Sequence, residues 1–323
     1  MQIKKFRPLV SVISPAYNCE SFIERCVESV LRQNYDNVEH IIINDFSNDK
    51  TKIILDSYKD KRIKIYNNET NLGPALSRNI GISAAKGDFI AWLDADDFME
   101  KSRISLQVDF LRKNLSVDIV GTFVKTVGGS KLDQKILRYP KRNDYITTQM
   151  LFDNPIAMSS VLVRRDVVEN QKILFNKELI PAEDYDYWVK LSTEFKFANL
   201  KRPLTNYQIH PNQISKLNKE SGFCSVRKIQ SSLLSQLGIE LGNSEWVLHQ
   251  IVGIDWGRGA NKSNIEEIKQ WLLKIKQANE ISNIYDQSIL RRIIDHRLKI
   301  CEYYALKKIL PVAISRVTMR IQN

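Results

Sequence analysis

Cysteine is scarce in this chain of 323 residues, which contains four of them. They are Cys19, Cys26, Cys224 and Cys301. Their spacing never matches CxxC, and their density is far below that of small secreted disulfide scaffolds. We therefore expect neither a zinc site nor structural disulfides, and we expect the protein to work in a reducing cytosol.

Long apolar runs are also missing. No stretch of about 18 or more apolar residues occurs, so a membrane-spanning helix is not expected. The opening segment Met1–Pro8 carries Lys4, Lys5 and Arg7, but it lacks the apolar stretch and small residues of a signal peptide. These absences predict a cytoplasmic location, either free or at the surface of a membrane.

Glycine-rich phosphate loops are a third absence. The dinucleotide motif GxGxxG and the P-loop motif GxxxxGK[ST] do not occur after any predicted strand. The adjacent glycines Gly128 and Gly129 lie in neither arrangement. The classes of nucleotide-binding enzyme that depend on these two loops are therefore excluded.

Basic residues, in contrast, are in excess. The net charge is +11 and the pI is about 9.3, which favours an anionic partner such as nucleic acid, phospholipid or a nucleoside diphosphate. Many of the cations lie among apolar residues at helical spacing in the last segment, Gln287–Asn323, which predicts a basic amphipathic helix. These cations are Arg291, Arg292, Arg297, Lys299, Lys307, Lys308, Arg316 and Arg320.

The first hundred residues alternate between strand and helix patterns, which predicts parallel strands joined by crossover helices. Further strands are expected at 118–127 and 159–164, and from about Gly222 onwards the period is helical. We therefore divide the chain into an α/β catalytic domain, 1–222, and a helical region, 223–323. The predicted strands of the first part are 9–14, 40–44, 63–67 and 88–93, and its helices are 22–33, 50–58 and 75–86.

Acidic residues follow two of these strands. Asp45 ends the segment IIIND, and Asp94, Asp96 and Asp97 follow DFIAWL. Because open α/β sheets bind ligands at the carboxyl ends of their strands, these acids are expected in one crevice. Three neighbouring carboxylates repel one another unless a cation offsets their charge, so we predict Mg²⁺ or Mn²⁺ bound to phosphate oxygens. A cap of a helix beginning near Met99 is the alternative.

Two further residues suit a nucleotide diphosphate. Asp45 can accept the imide N–H of uracil, and Arg78 can pair with diphosphate oxygens. For Asp45 the alternative is an Asx turn or a helix N-cap after the strand, and for Arg78 it is a solvated surface position. The break of the first strand at Pro15 is expected to shape the same crevice.

Acid–base chemistry and metal binding have candidates in the second half of the catalytic domain. Asp184, in the segment PAEDYDYW, can deprotonate a hydroxyl group, although Glu183 and Asp184 are also suitable helix caps. His210, in the loop YQIHPNQIS, can ligate a metal or contact a diphosphate. A loop histidine without such a role is the alternative.

Four segments in this order resemble family 2 of the inverting glycosyltransferases, which includes bacterial polysaccharide and O-antigen sugar transferases. They are VSVISPAYN, IIINDFSND, NLGPALSRNIGISAAKGDFIAWLDADD and AEDYDYW, within residues 8 to 220. The resemblance implies the nucleotide-diphospho-sugar transferase (GT-A-like) α/β fold with a mixed central sheet, followed by a helical C-terminal region. This chain departs from the family pattern at Asn44, where relatives usually have Asp, and at Phe46, where they commonly have Gly.

The resemblance also assigns roles to residues. It makes Asp184 the catalytic base, Asp96, Asp97 and His210 the ligands of Mn²⁺ or Mg²⁺, and Glu183 and Trp188 neighbours of the acceptor. The residues that it places on the donor nucleotide are Pro15, Ala16, Tyr17, Asn18, Asp45, Asn71, Arg78, Asp94, Ala95 and Asp96.

The function implied by the resemblance is transfer of a sugar from a UDP-sugar to a saccharide or undecaprenyl-diphosphate-linked acceptor in cell-surface polysaccharide biosynthesis. The O-antigen of lipopolysaccharide and capsule are the expected products, and the inner face of the cell membrane is the expected place of action. A nucleotidyltransferase that makes sugar nucleotides, or a non-catalytic domain that binds nucleotide or sugar, is the alternative. Nucleic acid is not an expected partner, because acids cluster at the predicted ligand face.

Overall fold

The computed structural model describes residues 7–128, 133–169 and 173–307. These residues form two compact units, the first built on a β-sheet and the second helical. No helix in these three ranges contains an 18-residue window with the hydropathy of a membrane span.

The division into units differs in one respect from the pattern expected of the sequence. The first unit holds the chain up to Asn143 together with Ile156–Ser225, and the second holds Asp144–Pro155 together with the chain from Val226 onwards. The segment Asp144–Pro155 thus groups with the C-terminal helices. The sequence pattern did not indicate this grouping. The domain boundary at residue 222 stays a prediction.

Nine strands form one sheet in the described part of the chain. They are β1 (Val10–Ala16), β2 (Val38–Asn44), β3 (Ile63–Asn67), β4 (Phe89–Trp92), β5 (Phe98–Met99), β6 (Ile119–Val127), β7 (Ile136–Leu137), β8 (Leu162–Arg164) and β9 (Phe197–Gln208). Their order is β3-β2-β1-β4-β8-β6-β9-β5, with β7 paired to β6. The first four of this order are parallel, whereas β8 is antiparallel to both of its neighbours. The expected mixed sheet is confirmed.

The α-helices of the described residues connect these strands and then form the second unit. They are α1 (Ile23–Leu31), α2 (Thr51–Ser57), α3 (Gly73–Ala84), α4 (Arg103–Lys113), α5 (Asn143–Gln149), α6 (Arg165–Glu169), α7 (Glu183–Leu191), α8 (Ile214–Leu217), α9 (Lys219–Gln236), α10 (Asn243–Val252), α11 (Ile265–Ser282) and α12 (Gln287–Lys307). The predicted crossovers α1, α2 and α3 are confirmed.

Pro15 does not break β1, so the expected interruption of this strand is wrong. The strand continues to Ala16, and Pro15 pairs in register with Ile43 of β2. Proline lacks an N–H, which a central strand tolerates only where no ladder hydrogen bond is needed. The carbonyl of Ile13 accepts from Leu93 on the β4 side, and alternation along the strand turns the nitrogen of Pro15 to that same side. The pairing with β4 ends at Ile13, so no hydrogen bond is lost.

Gly81 allows α3 to lie directly on the sheet. A Cβ atom at this position would come within 2.3 Å of Cγ2 of Ile13 in β1. Arg78 lies three residues earlier and therefore on the same, buried face of the helix. The close packing of α3 is what carries the guanidinium of Arg78 beneath the protein surface.

Two strands beside the acidic segment were not predicted. Phe98–Met99 forms β5 and α4 begins only at Arg103, so a helix starting near Met99 is wrong. The long strand β9 was missed because Lys201, Arg202 and Pro203 interrupt its alternation. The structure accommodates them as bulges, where the register against β6 shifts.

Helix α12 has the predicted period, but one of its cations is buried. Arg297 donates to the carbonyl of Val252 (2.7 Å), pairs with Asp153 (3.0 Å) and lies over the rings of Phe152 and Trp256. The apolar face of the helix packs within the second unit and is not free to enter a membrane. Of the other predicted cations, Lys308, Arg316 and Arg320 lie outside the described residues.

Candidate active site

The loops that follow β1 and β2 are joined at the carboxyl edge of the sheet. Asn18 donates its backbone N–H to the hydroxyl of Ser47 (3.1 Å), and its side-chain oxygen accepts from the N–H of Asn48 (2.9 Å). Open α/β sheets bind ligands at this edge. The structure therefore brings Asn18 together with the residues that follow Asp45, as the sequence predicted.

Asp45 is buried and serves the backbone in this structure. Its side chain is 3% exposed, and it accepts from Asn68 (2.7 Å) and from the N–H groups of Leu72 (2.9 Å) and Gly73 (2.8 Å). The two backbone donors begin α3, so Asp45 caps a helix 28 residues further along the chain. A carboxylate can accept about four hydrogen bonds, and the structure describes fewer than that here, so the contact with uracil stays a prediction. The alternative, a cap of the helix that directly follows the strand, is not what the structure shows, because these donors belong to α3.

Phe46 occupies a backbone conformation that favours glycine. Its φ is 62°, which for a bulky residue is uncommon and costs about 1–3 kcal/mol. This explains why the family pattern has Gly at the position. Phe46 is 56% exposed, so burial of apolar surface offsets little of that cost.

The other predicted nucleotide contacts at β1 and α3 differ in accessibility. Ala16 is buried and accepts the N–H of Asp45 (2.8 Å), whereas Tyr17 is 49% exposed. Asn71 is exposed and donates to the carbonyl of Asp45 (3.3 Å). Pro15 is half-buried within β1. Of these, Tyr17 and Asn71 have side chains that a ligand can reach.

Asp96 and His210 meet across the crevice. Oδ2 of Asp96 lies 2.9 Å from Nε2 of His210, and the histidine ring packs on Phe22 with centroids 4.8 Å apart. Both side chains are partly exposed, at 25% and 17%. Ala95, between the acids, is buried. Two of the predicted metal ligands, Asp96 and His210, thus lie together, and their binding of a metal stays a prediction.

Asp97 faces the protein interior, away from solvent. Its side chain is fully buried, and Oδ1 accepts the N–H of Gln208 (2.8 Å), which holds the end of β9. Burial, followed by the charges of Asp96 and Asp94, raises its pKa well above the ordinary value. Because the side chain is fully buried, Asp97 offers a metal ion no accessible oxygen in this structure, and its assignment as a metal ligand is corrected. The described residues contain no group of three Asp, Glu, His or Cys side chains arranged around a metal position.

Arg78 bridges two acidic segments. Its Nη2 donates to Oδ1 of Asp94 (2.8 Å) and its Nη1 donates to Oε1 of Glu183 (2.7 Å), with only 6% of the arginine side chain exposed. Although burial by itself lowers its pKa, the charges of Asp94 and Glu183 raise it above the ordinary value. In this structure Arg78 bridges Asp94 and Glu183, and because each terminal nitrogen carries a second N–H, its contact with diphosphate stays a prediction.

Asp184 begins α7 beside the bridge. It is half-buried, and its Oδ1 accepts the N–H of Tyr185 (2.7 Å). Burial raises its pKa to about 7; the charge of Glu183 also raises it, whereas Arg78 and the hydrogen bond from Tyr185 lower it. A carboxyl group with a pKa near neutrality matches the requirement for a general base that works near pH 7.

The two residues assigned to the acceptor are not accessible. Trp188 is fully buried, with its ring centroid 5.7 Å from that of Trp92 and 6.3 Å from that of Phe197. Glu183 is committed to Arg78 and is also buried. Their assignment to the acceptor is therefore wrong, because α7 turns this face to the core.

Sequence reasoning missed two residues that shape the acidic loop. Ser159 accepts the N–H of Asp94 on its hydroxyl (3.0 Å), and Gln208 holds Asp97 through its backbone. Neither belongs to a motif. Only the pairing of β8 and β9 into the sheet brings them here, so no local signal could have found them.

A family model and several known proteins match this chain. The model described as Glycosyl transferase family 2 matches residues 11–170. A glycosyltransferase of Haemophilus influenzae is 35% identical over 248 residues, which cover 72% of this chain and 77% of that protein. The Escherichia coli enzyme WfaP, a UDP-Glc:α-D-GlcNAc-diphosphoundecaprenol β-1,3-glucosyltransferase, is 32% identical, with coverage of 72% and 88%.

Solved structures share the fold at lower identity. Residues 1–349 of Staphylococcus aureus TarS, in complex with UDP-GlcNAc, match with a TM-score of 0.62 and 20% identity, covering 93% of this chain and 92% of that one. The mannosyltransferase PcManGT of Pyrobaculum calidifontis, in complex with GDP-Man and Mn²⁺, matches with a TM-score of 0.54 and 15% identity, covering 91% and 88%. The expected GT-A fold is confirmed.

Proposed function

The chain belongs to glycosyl transferase family 2, and from this premise we propose that it transfers a sugar from a UDP-sugar to a hydroxyl group of a glycan or lipid-linked saccharide, with inversion at the anomeric carbon. WfaP, by its name, takes UDP-glucose and a diphosphoundecaprenol-linked sugar, and the TarS structure holds UDP-GlcNAc. We place the reaction in polysaccharide biosynthesis at the inner face of the cell membrane.

The observation that carries this proposal is the bridge through Arg78. One guanidinium contacts Asp94, two residues before Asp96, and Glu183, the neighbour of Asp184. The bridge thereby links two segments. One carries Asp96, which is suited to bind a cation for the donor phosphates, and the other carries Asp184, whose carboxyl group is suited to take a proton. Transfer from a sugar nucleotide needs these two functions in one crevice.

Asp96 and His210 fit a divalent cation. Their facing atoms are a carboxylate oxygen and an imidazole nitrogen, which are ligand types of Mn²⁺ and related ions. Two protein ligands leave positions for phosphate oxygens, as is usual where such cations bind nucleotides. When bound, the cation would offset the negative charge of the departing UDP.

Asp184 performs the proton transfer in the proposed mechanism. It accepts the proton of the acceptor hydroxyl, whose oxygen bonds to the anomeric carbon as the bond from that carbon to the UDP oxygen breaks. Attack opposite the leaving group inverts the configuration. Arg78 holds Glu183 and opposes the rise in the pKa of Asp184, so that the base is ionised above neutrality.

The rate should depend on pH through Asp184. Its raised pKa means that the carboxyl group is protonated below about pH 7 and can act as a base only above it, so kcat/KM should rise to a plateau through neutrality. In Glu183→Gln the rise should move to lower pH, since a charge that raises the pKa of Asp184 has been removed. Initial rates measured across this range test both statements. A flat wild-type profile, or a shift to higher pH in the variant, would contradict them.

The donor and the metal are tested together by UDP release. We expect Mn²⁺- or Mg²⁺-dependent release from one of UDP-glucose, UDP-galactose and their N-acetyl forms, with short diphospholipid-linked saccharides as acceptors. Asp96→Ala should abolish the metal-dependent part, whereas Asp56→Ala, a surface carboxylate 51% exposed, should behave as wild type. Acceptors in anionic vesicles should react faster than in neutral ones if the protein works at a membrane.

The outcomes of this assay separate the candidate functions. Equal release by wild type and Asp96→Ala would remove Asp96 from the metal site. No release from any donor, together with UDP binding in calorimetry, would indicate a domain that only binds nucleotide. A response to UDP-sugars that does not differ between vesicle types would argue against a membrane surface as partner.

A further inference from the structure

Phe46 is a bulky residue that the fold itself does not require. Its φ of 62° belongs to the left-handed region, where glycine is favoured, and more than half of the residue's surface is exposed to solvent. A strained residue persists when something other than local folding maintains it, and such residues cluster at ligand sites. Because Phe46 is largely exposed, its packing offsets little of the backbone strain. The reason for the strained residue therefore lies in what its exposed face contacts.

The position of Phe46 places it at the donor crevice. It directly follows Asp45 at the carboxyl end of β2, and its neighbour Ser47 is hydrogen-bonded to Asn18, the neighbour of Tyr17. Two exposed aromatic side chains, Tyr17 and Phe46, therefore come from loops that are fastened to each other at the ligand edge of the sheet.

Recognition of the base at this edge need not depend on Asp45 alone. Both of its oxygens already accept hydrogen bonds from Asn68, Leu72 and Gly73, and the side chain is buried. A nucleobase offers, besides its hydrogen-bonding edge, two flat faces that stack on aromatic rings. The exposed ring next to the occupied carboxylate is suited to this contact.

We propose that Phe46 stacks on the base of the donor nucleotide and thereby supplies binding energy. The inference rests on the proposed function, because it assumes a nucleoside diphosphate in this crevice. It also explains why a strained aromatic residue stands where the family pattern has glycine. Phe46 contacts the face of the base, and the diphosphate binds separately near Asp96.

Calorimetric titration of Phe46 variants tests the proposal. With Mn²⁺ present, Phe46→Gly should weaken the binding of UDP about tenfold, in the range measured for loss of one base-stacking contact, and leave inorganic diphosphate unchanged. Phe46→Tyr should retain UDP affinity, whereas Phe46→Leu, which keeps the backbone strain without a ring, should lose it as glycine does. Because glycine relieves the strain, Phe46→Gly should unfold thermally no earlier than wild type.

Titration of wild type with UDP, GDP and ADP separates this inference from the proposed donor. If only GDP or ADP binds, the UDP donor is wrong, and the Phe46 variants are judged on the nucleotide that does bind. The inference is overturned if Phe46→Gly binds that nucleotide within twofold of wild type, or if its affinity for inorganic diphosphate falls equally. Absence of binding by every nucleotide overturns both proposals.

Discussion

Replacing Asp184 with asparagine lowers turnover at least about a hundredfold, while UDP affinity stays within a few-fold of wild type. General-base catalysis contributes about 10²–10⁴ to a rate, and an amide cannot take the proton of the acceptor hydroxyl. Asparagine keeps the shape of the side chain and can still accept the N–H of Tyr185. The loss should therefore appear in kcat under saturating donor and acceptor, with calorimetry reporting UDP binding.

The matched control is Asp186→Asn, on the same helix turn. Asp186 is buried and pairs with Lys190 rather than with Arg78, and asparagine keeps its shape, so this variant should keep most of the activity. Near-normal turnover in Asp184→Asn would remove Asp184 from the catalytic role. A fall in UDP affinity as large as the fall in turnover would instead indicate that the site had been disrupted.

Replacing Arg78 with methionine should destabilise the first unit by about 3 kcal/mol or more and nearly abolish transfer. Removal of one partner from a buried ion pair leaves an uncompensated charge, which costs about 3–5 kcal/mol. Glu183 is buried on one side of the bridge, while the partly exposed Asp94 recovers some solvation, so the lower end of the range is expected. Urea unfolding measures the stability and UDP release the activity.

The double variant Arg78→Met, Glu183→Gln provides the control for this prediction. The glutamine removes the charge that Arg78→Met leaves buried, so the double variant should regain part of the lost stability and show a clear coupling energy. It should not regain full activity, because Asp94 stays without its partner. An Arg78→Met protein as stable as wild type, or strictly additive effects in the cycle, would contradict the bridge as a stabilising element.

The strands and helices of the first unit were predictable where hydrophobic period dominates. Strands β2, β3 and β4 lie close to their expected bounds, and the change to helices after β9 is visible in the sequence. The predictions failed where tertiary pairing overrides the local pattern. The sequence pattern of Lys201, Arg202 and Pro203 indicates the end of a strand. In the structure β9 continues through these residues, which form bulges against β6. At Pro15 the strand continues because the N–H that proline lacks would point to the β4 side, where the pairing with β4 has already ended at Ile13.

The sequence by itself determined which residues could do the chemistry: acids at strand ends, a histidine in a late loop, and an acidic helix start. These depend on residue type and order, and the pairing of Asp96 with His210 agrees with them. Only the tertiary structure decided which of the acids are accessible. Asp45 and Asp97 are enclosed by donors from residues 23 to 111 positions away, and Arg78 is buried between two carboxylates. The reason is physical: exposure, charge pairing and pKa depend on which side chains meet in space, and the spacing of residues along a chain does not specify those meetings.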